Sequence, residues 1–305
     1  MEIRSLLPNF VIIGAQKAGS TFLLNCLAEH PNIYVHPAED AYFQDPDYQN
    51  TTHDVFERRF KPAHGKTAIV MKRANYLASP ECPQRICQDL PDVGLIAVLR
   101  DPIERAVSAY FHFMTSGFIP IQPLGLGMRQ ILDEKLHTKY PAAKFILDYG
   151  LYAKHLRRYL EHFDRDRLLI LLFDDLKVRP LSVAKQSYRF LAVDETYTPD
   201  RSIGTRPMAS ITSMVRIRLH NCVQPLFVRT NPQRTRNTTR RGPLGWMLRK
   251  GFNAMDRLVW ARLFKGERPQ LDQDLHRELA DRFRPDMEDL ETILARRLNG
   301  WLAGS

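Results

Sequence analysis

Lys17, Ser20 and Thr21 stand in a short stretch built to grip an anion, Gly14-Ala15-Gln16-Lys17-Ala18-Gly19-Ser20-Thr21. The lysine supplies a compact positive charge and the two hydroxyls supply donors. The glycines let the backbone turn several N–H groups toward one point. The spacing is close to the phosphate loop G-x-x-x-x-G-K-[ST], with one displacement. Ser20 follows Gly19 where that loop has its lysine, and the lysine lies inside the loop at Lys17. A nucleoside-triphosphate site needs its lysine on the terminal phosphates and its hydroxyl on Mg²⁺, so the displacement removes that match.

A loop of the form G-x-x-K-x-G-[ST]-[ST] better suits a 5′-phosphosulfate, a group with less charge and no need of a metal. The plain alternative is a strand-to-helix turn that holds nothing. A second pair with chemical potential is Arg100 and, eight residues on, Ser108. Arg100 follows an apolar run at the position where open α/β sheets place ligand contacts.

The elements around these residues read as alternating strands and helices. Phe10–Ile13, Ala68–Met71, Leu95–Leu99 and Leu168–Leu172 are short continuous apolar runs, the signature of parallel strands covered on both faces. Ser20 and Thr21 are expected to cap a helix whose apolar side is Phe22, Leu23, Leu24 and Leu27. Asp101, Pro102 and Glu104 form a capping-box start for a helix over Pro102–Thr115 that carries Ser108. Further helices are expected at Cys82–Leu90, Tyr149–Phe163 and Ser182–Leu191, with two more at Leu271–Phe283 and Pro285–Asn299. His30–Tyr48 reads as extended chain and loop. The fold class expected is α/β: a P-loop-like, three-layer fold with a central parallel sheet flanked by helices, and helical decoration at the C-terminal end. Strand order is not readable from the pattern.

With 305 residues and 44% apolar composition, the chain can bury one substantial core. A single domain over 1–305 is expected, with a core at about 8–200, a basic helical segment at about 208–268 and terminal helices at about 271–300. Cys26, Cys82, Cys87 and Cys222 lack the paired spacing of a zinc site, and the first ten residues do not form a signal peptide. A reducing, cytoplasmic setting follows as an expectation. The sequons at Asn50 and Asn237 are then without consequence.

The net charge of +10 is concentrated. Between Arg229 and Arg268 stand eleven Lys or Arg and two acids, so that segment alone carries +9. It calls for an anionic partner. Within it, Leu248, Phe252, Met255, Leu258, Val259 and Leu263 recur at helical spacing over Leu244–Lys265. That helix either packs its apolar face on the domain or lies on an anionic membrane, peripherally at its inner face.

Four motifs together resemble the sulfotransferases that use 3′-phosphoadenosine 5′-phosphosulfate (PAPS), over most of the chain to about residue 191. The branch most similar is the bacterial and Golgi-type carbohydrate sulfotransferases, such as the heparan sulfate enzymes. QKAGSTFL at 16–23 is similar to the 5′-phosphosulfate loop, which implies donor contacts from Lys17, Ala18, Gly19, Ser20, Thr21 and Phe22. LRDPIERAVSAY at 99–110 is similar to the 3′-phosphate element, which implies that Arg100 and Ser108 hold that phosphate. EDAYF at 39–43 resembles E-x-x-F-F, whose glutamate is the branch's base, here Glu39. KRANY at 72–76 stands where the branch has K-T-P-x-Y, which gives Lys72 a place near the transferring sulfate. Ala38 and Met71 depart from the lysine and the acid usual before these two residues. Arg240-Arg241-Gly242 resembles the R-K-G element of cytosolic relatives, and a basic loop accounts for it equally well.

The resemblance implies transfer of a sulfuryl group to an acceptor hydroxyl on a carbohydrate or glycolipid, with PAPS as co-substrate and no metal. Glu39, Lys17 and Lys72 would be catalytic. Asp40 and His36 are rival bases by proximity, Glu39 could be a merely solvated acid, and Lys72 could be a plain surface lysine. His112 reads as a packing residue. The runner-up function is a P-loop kinase or nucleotide hydrolase, for which Phe173-Asp174-Asp175 is the best support. A third is an inactive relative that binds anions or membranes through the basic segment; no nucleic-acid partner is expected.

Overall fold

A computed structural model describes residues 6–200, 210–239, 243–266 and 270–303. Five parallel strands make the central sheet: β1 (Phe10–Gly14), β2 (Ile33–Val35), β3 (Ala68–Lys72), β4 (Gly94–Leu99) and β5 (Leu168–Leu172), in the order β2-β3-β1-β4-β5. β1, β3 and β4 are apolar almost throughout because both of their faces are covered. On one face Ile12, Val70, Ile96 and Val98 pack against Phe22, Leu23, Cys26 and Leu27 of α1 (Ser20–Ala28). Val183, Ala184 and Tyr188 of the helix Pro180–Phe190 join the same cluster. Val11 and Ile13 are equally buried and, by strand alternation, point to the other side.

The chain leaves β1 toward β2 and β3 on one side and later returns to β4 and β5 on the other. The carboxyl end of β1 is thus the topological switch point of the sheet, the place where open α/β folds bind ligands. The Gly14–Gly19 loop begins there. Lys72 ends the strand on one side of it, and Arg100 follows the strand on the other.

Contacts divide the chain into two compact units. The sheet belongs to the first, Met1–Arg100 with Leu151–Met208 and Asp286–Leu298; the second is Asp101–Gly150 with Ala209–Pro285 and Asn299–Ser305. In the second, Asp101 caps the helix Pro102–Thr115 as its sequence predicts, accepting from the N–H groups of Ile103 and Glu104 at 2.9 Å each. The helices Leu124–Leu132 and Met214–Val223 belong there too, as does a small hairpin of Val228–Thr230 with Asn237–Thr239.

Several expectations need correction. α1 starts at Ser20 with Gly19 before it, and neither Ser20 nor Thr21 caps it by its side chain. The expected helix over Tyr149–Phe163 is shorter, Tyr152–Leu160, and its entrance is held by the Asp286 carboxylate, which accepts from Ala153 and Lys154 N–H. The two terminal helices are one, Gln273–Leu294, running through Pro285. Phe283, Met287 and Leu290 are buried on either side of that proline, and this packing offsets the backbone bond that proline removes. Arg240-Arg241-Gly242 lies outside the described residues.

Candidate active site

The loop after β1 is shaped by two left-handed residues. Lys17 takes φ 67° and Gly19 φ 93°. The second is a glycine for two reasons: the dihedral favours it, and a Cβ there would lie 2.7 Å from the Phe173 ring. Curled this way, the loop delivers the chain directly into α1, whose first N–H groups, those of Ser20 and Thr21, have no carbonyl of the preceding turn to bond. Phe22 follows at the third position of α1. Its side chain lies in the core and its N–H donates to the Gly19 carbonyl at 2.9 Å. Ala18 is buried, and its N–H donates to the Ala15 carbonyl.

Three cations converge on this loop. Lys17 is half-buried within it. The Arg100 guanidinium lies over the Phe173 ring, 4.7 Å from its centroid, and donates to the Lys17 carbonyl at 3.4 Å. Burial lowers the Lys17 ammonium from 10.5 to about 8, and the charges of Arg100 and then Lys72 add to the effect. A cationic cradle with its own lysine under pressure to lose a proton is poised for an anion, whose charge would offset the repulsion among the three cations and favour the charged lysine.

Lys72 is the hinge of the opposite wall. It is only 3% exposed, and its ammonium donates to Glu39 Oε1 at 2.6 Å and to Thr21 Oγ1 at 2.7 Å. The Thr21 hydroxyl, expected at the helix cap, is instead the tie between α1 and β3. Glu39 is 42% exposed in its side chain, and Arg73 stands 3.7 Å from its second oxygen. A buried lysine, a threonine and an open carboxylate are therefore brought together beside the loop. Gln16 ties the loop itself to the turn after β3, donating to Asn75 Oδ1 at 3.1 Å.

The rival bases are placed elsewhere. Asp40 is buried, accepts from Arg59 at 2.5 and 2.7 Å and receives the Tyr42 N–H at 2.9 Å. His36 has Nδ1 2.9 Å from the Ala38 carbonyl and packs on Phe60. The acids that would have served a kinase are also engaged: Asp174 pairs with Lys177, and Asp175 with Arg179 and Arg296.

The sequence pattern described as the sulfotransferase domain matches residues 7–214. The chain belongs to this family. Among curated relatives, heparan sulfate glucosamine 3-O-sulfotransferase 3B1 of Mus musculus is 31% identical over 195 residues, which cover 63% of this chain and 48% of that protein. The bifunctional heparan sulfate N-deacetylase/N-sulfotransferase 1 of Caenorhabditis elegans is 27% identical over 192 residues, covering 62% of this chain and 22% of that protein. The chain thus spans half or less of the length of these relatives. The crystal structure of a sulfotransferase from Alicyclobacillus acidocaldarius superposes with a TM-score of 0.66 at 23% identity, covering 97% of this chain and 98% of that one. The shared fold is the P-loop-like one that the sequence leads us to expect.

Within this sulfotransferase, Ser108 lies in the second unit on the helix Pro102–Thr115, where it exchanges hydrogen bonds with Ser210. The two hydroxyls are 3.0 Å apart, and Ser210 also donates to the Ser108 carbonyl. Phe173 is the residue that sequence reasoning missed. It supports Arg100 and limits position 19 to glycine, and its only signal was an aromatic residue directly after a buried strand.

Proposed function

We propose that this sulfotransferase moves the sulfuryl group of PAPS to a hydroxyl of a carbohydrate or glycolipid. The observation that carries the reading is the Thr21–Lys72–Glu39 cluster set against a cationic loop. It puts a carboxylate able to take a proton beside side chains suited to a transferring anion. In the reaction, the acceptor oxygen forms a bond to sulfur while the bond from sulfur to the 5′-phosphate oxygen breaks. Glu39 takes the hydroxyl proton as that bond forms. Lys17 and the N–H groups at the start of α1 stabilise the charge that develops on the departing phosphate. Lys72 holds Glu39 in place and joins it to Thr21, and its charge is suited to the sulfuryl oxygens. Arg100, braced on Phe173, is suited to the 3′-phosphate.

The residues present fit PAPS better than a metal-bound triphosphate, because the loop lysine sits at Lys17 and Asp174 and Asp175 are committed to basic partners. The carbohydrate class rests on the heparan sulfate relatives and on Glu39. The proposal extends to a reducing, cytoplasmic setting, on the sparse cysteines without paired spacing in the sequence.

The test is transfer of labelled sulfate from PAPS to a panel of desulfated heparan-type oligosaccharides and glycolipids. Label in an acceptor, lost in Glu39→Gln, is the expected result. Absence of transfer to every hydroxyl-bearing acceptor, with ATP-dependent phosphorylation instead, would contradict the reading.

A further inference from the structure

Large apolar side chains are left in solvent along the helical stretch Pro243–Met255, the wide π turn Asp256–Trp260 and the final turn Ala261–Leu263. Met247 is 62% exposed, Leu258 52% and Leu263 69%, with Leu248, Met255 and Val259 also exposed. This outward row is not the packed face of the segment. The inner edge is Phe252, buried among the rings of His220, Phe227 and Trp260. Asp256 is buried beside it, gripped by Arg216 through two bonds of 3.0 and 2.7 Å. Anchored by these two residues, the segment leaves Met247, Leu248, Met255, Leu258, Val259 and Leu263 exposed.

The exposed charges of the segment itself have one sign. Arg249, Lys250, Arg257, Arg262 and Lys265 are all exposed, and the one acid between positions 243 and 266 is Asp256, already held by Arg216. A helix that combines exposed apolar residues with basic ones matches a surface that is apolar just below an anionic layer. We propose that residues 247–265 dock this protein on an anionic lipid bilayer, lying in the interface with Met247, Met255, Leu258 and Leu263 inserted and the basic side chains on the headgroups. The segment lies on the bilayer rather than crossing it, since no helix among the described residues is long and apolar enough to span one. Two other occupants match less well. An acidic polysaccharide would use the basic side chains and leave the apolar row in water. A second copy of the chain would bring two cationic faces together, and like charges oppose that contact.

The proposal does not depend on sulfuryl transfer, and its test needs no catalysis. The full chain is floated with vesicles of phosphatidylcholine alone or with about one third phosphatidylglycerol, at low and at physiological salt. Partition is expected only with the anionic vesicles, weakening by roughly fivefold for each basic residue removed in Arg257→Gln and Arg262→Gln. Leu258→Gln/Leu263→Gln should lower partition at least ~10-fold while circular dichroism and the affinity for 3′-phosphoadenosine 5′-phosphate (PAP) stay unchanged. If that double variant misfolds, Leu263→Ser in the last turn replaces it. Three results would overturn the proposal: equal partition to both vesicle types or to neither; partition that ignores the leucine variants and follows charge alone, which marks an acidic glycan as the occupant; or a wild-type dimer that the leucine variants dissociate.

Discussion

Lys72 holds Glu39 by an ion pair of 2.6 Å that is buried at one end and open at the other, the lysine side chain being 4% and the glutamate 42% exposed. The buried end fixes the position of the carboxylate, and the open end leaves it accessible to a hydroxyl brought from solution. Glu39→Gln keeps the shape and a donor-acceptor pair but cannot take a proton. Turnover is expected to fall at least ~100-fold with PAP affinity preserved, read by kinetics and calorimetry on the same preparation. Equal loss of affinity and turnover would make Glu39 a binding residue.

Asp40, one residue on, should behave in the opposite way. It is buried and bonded to Arg59 and to the Tyr42 N–H, so Asp40→Asn removes one partner of a pair that the fold has already desolvated. The expected cost is about 1–3 kcal/mol of stability, seen as a lower Tm, with the turnover of the remaining folded enzyme unchanged. A loss of turnover without a loss of stability would move the base from Glu39 to Asp40.

Lys17 opposes stability in the absence of an anion. Its value is lowered from 10.5 to about 8, so between those two pH values the unfolded chain binds more protons than the folded one. The contribution of this residue to unfolding free energy therefore rises with pH across that window, and the full destabilisation is present below pH about 8. Lys17→Met should raise Tm at pH 7 by about 1–2 degrees, from about 1 kcal/mol, the lysine being partly screened by water. The same substitution should abolish transfer and weaken PAP binding. In the wild type, PAP affinity should decline as pH rises past about 8, as the lysine loses its charge. A fall in Tm on Lys17→Met would refute this electrostatic account.

Gly19→Ala combines a forced φ of 93° with a methyl group 2.7 Å from the Phe173 ring. It should cost about 1–3 kcal/mol of stability and also lower PAP affinity, because Phe173 braces Arg100. Gly65→Ala is the control: φ is 78° there and nothing lies within 4 Å of the added methyl group. That variant should lose stability by backbone strain alone and bind PAP as the wild type does.

Much of this arrangement is legible in the sequence, and the remainder has physical reasons for being hidden. β1 and β4 announce themselves because strands buried on both faces are continuous apolar runs. β2, with three residues at the sheet edge, carries too little pattern to separate it from extended loop. Strand order follows from packing among elements far apart in sequence, which no local spacing encodes. Pro285 suggests two helices because the missing N–H is a local fact, whereas the burial of Phe283, Met287 and Leu290 that keeps the helix whole is not. At the site, Lys17, Thr21, Glu39 and Lys72 were readable as chemistry-bearing residues. The bond from Lys72 to Thr21 was not, since it joins positions 51 residues apart. Asp174 and Asp175 show the converse: their position after a strand suggests a metal-binding acid, and only the structure reveals the lysine and arginines that occupy them.

The most direct test of PAPS-dependent transfer is calorimetric binding of 3′-phosphoadenosine 5′-phosphate to the wild-type protein, with and without Mg²⁺, against ATP and adenosine 5′-phosphosulfate. Micromolar binding that is indifferent to Mg²⁺, depends on the 3′-phosphate and falls in Arg100→Ala is the predicted result. Failure to bind this nucleotide, or tighter binding of ATP that requires Mg²⁺, would contradict it.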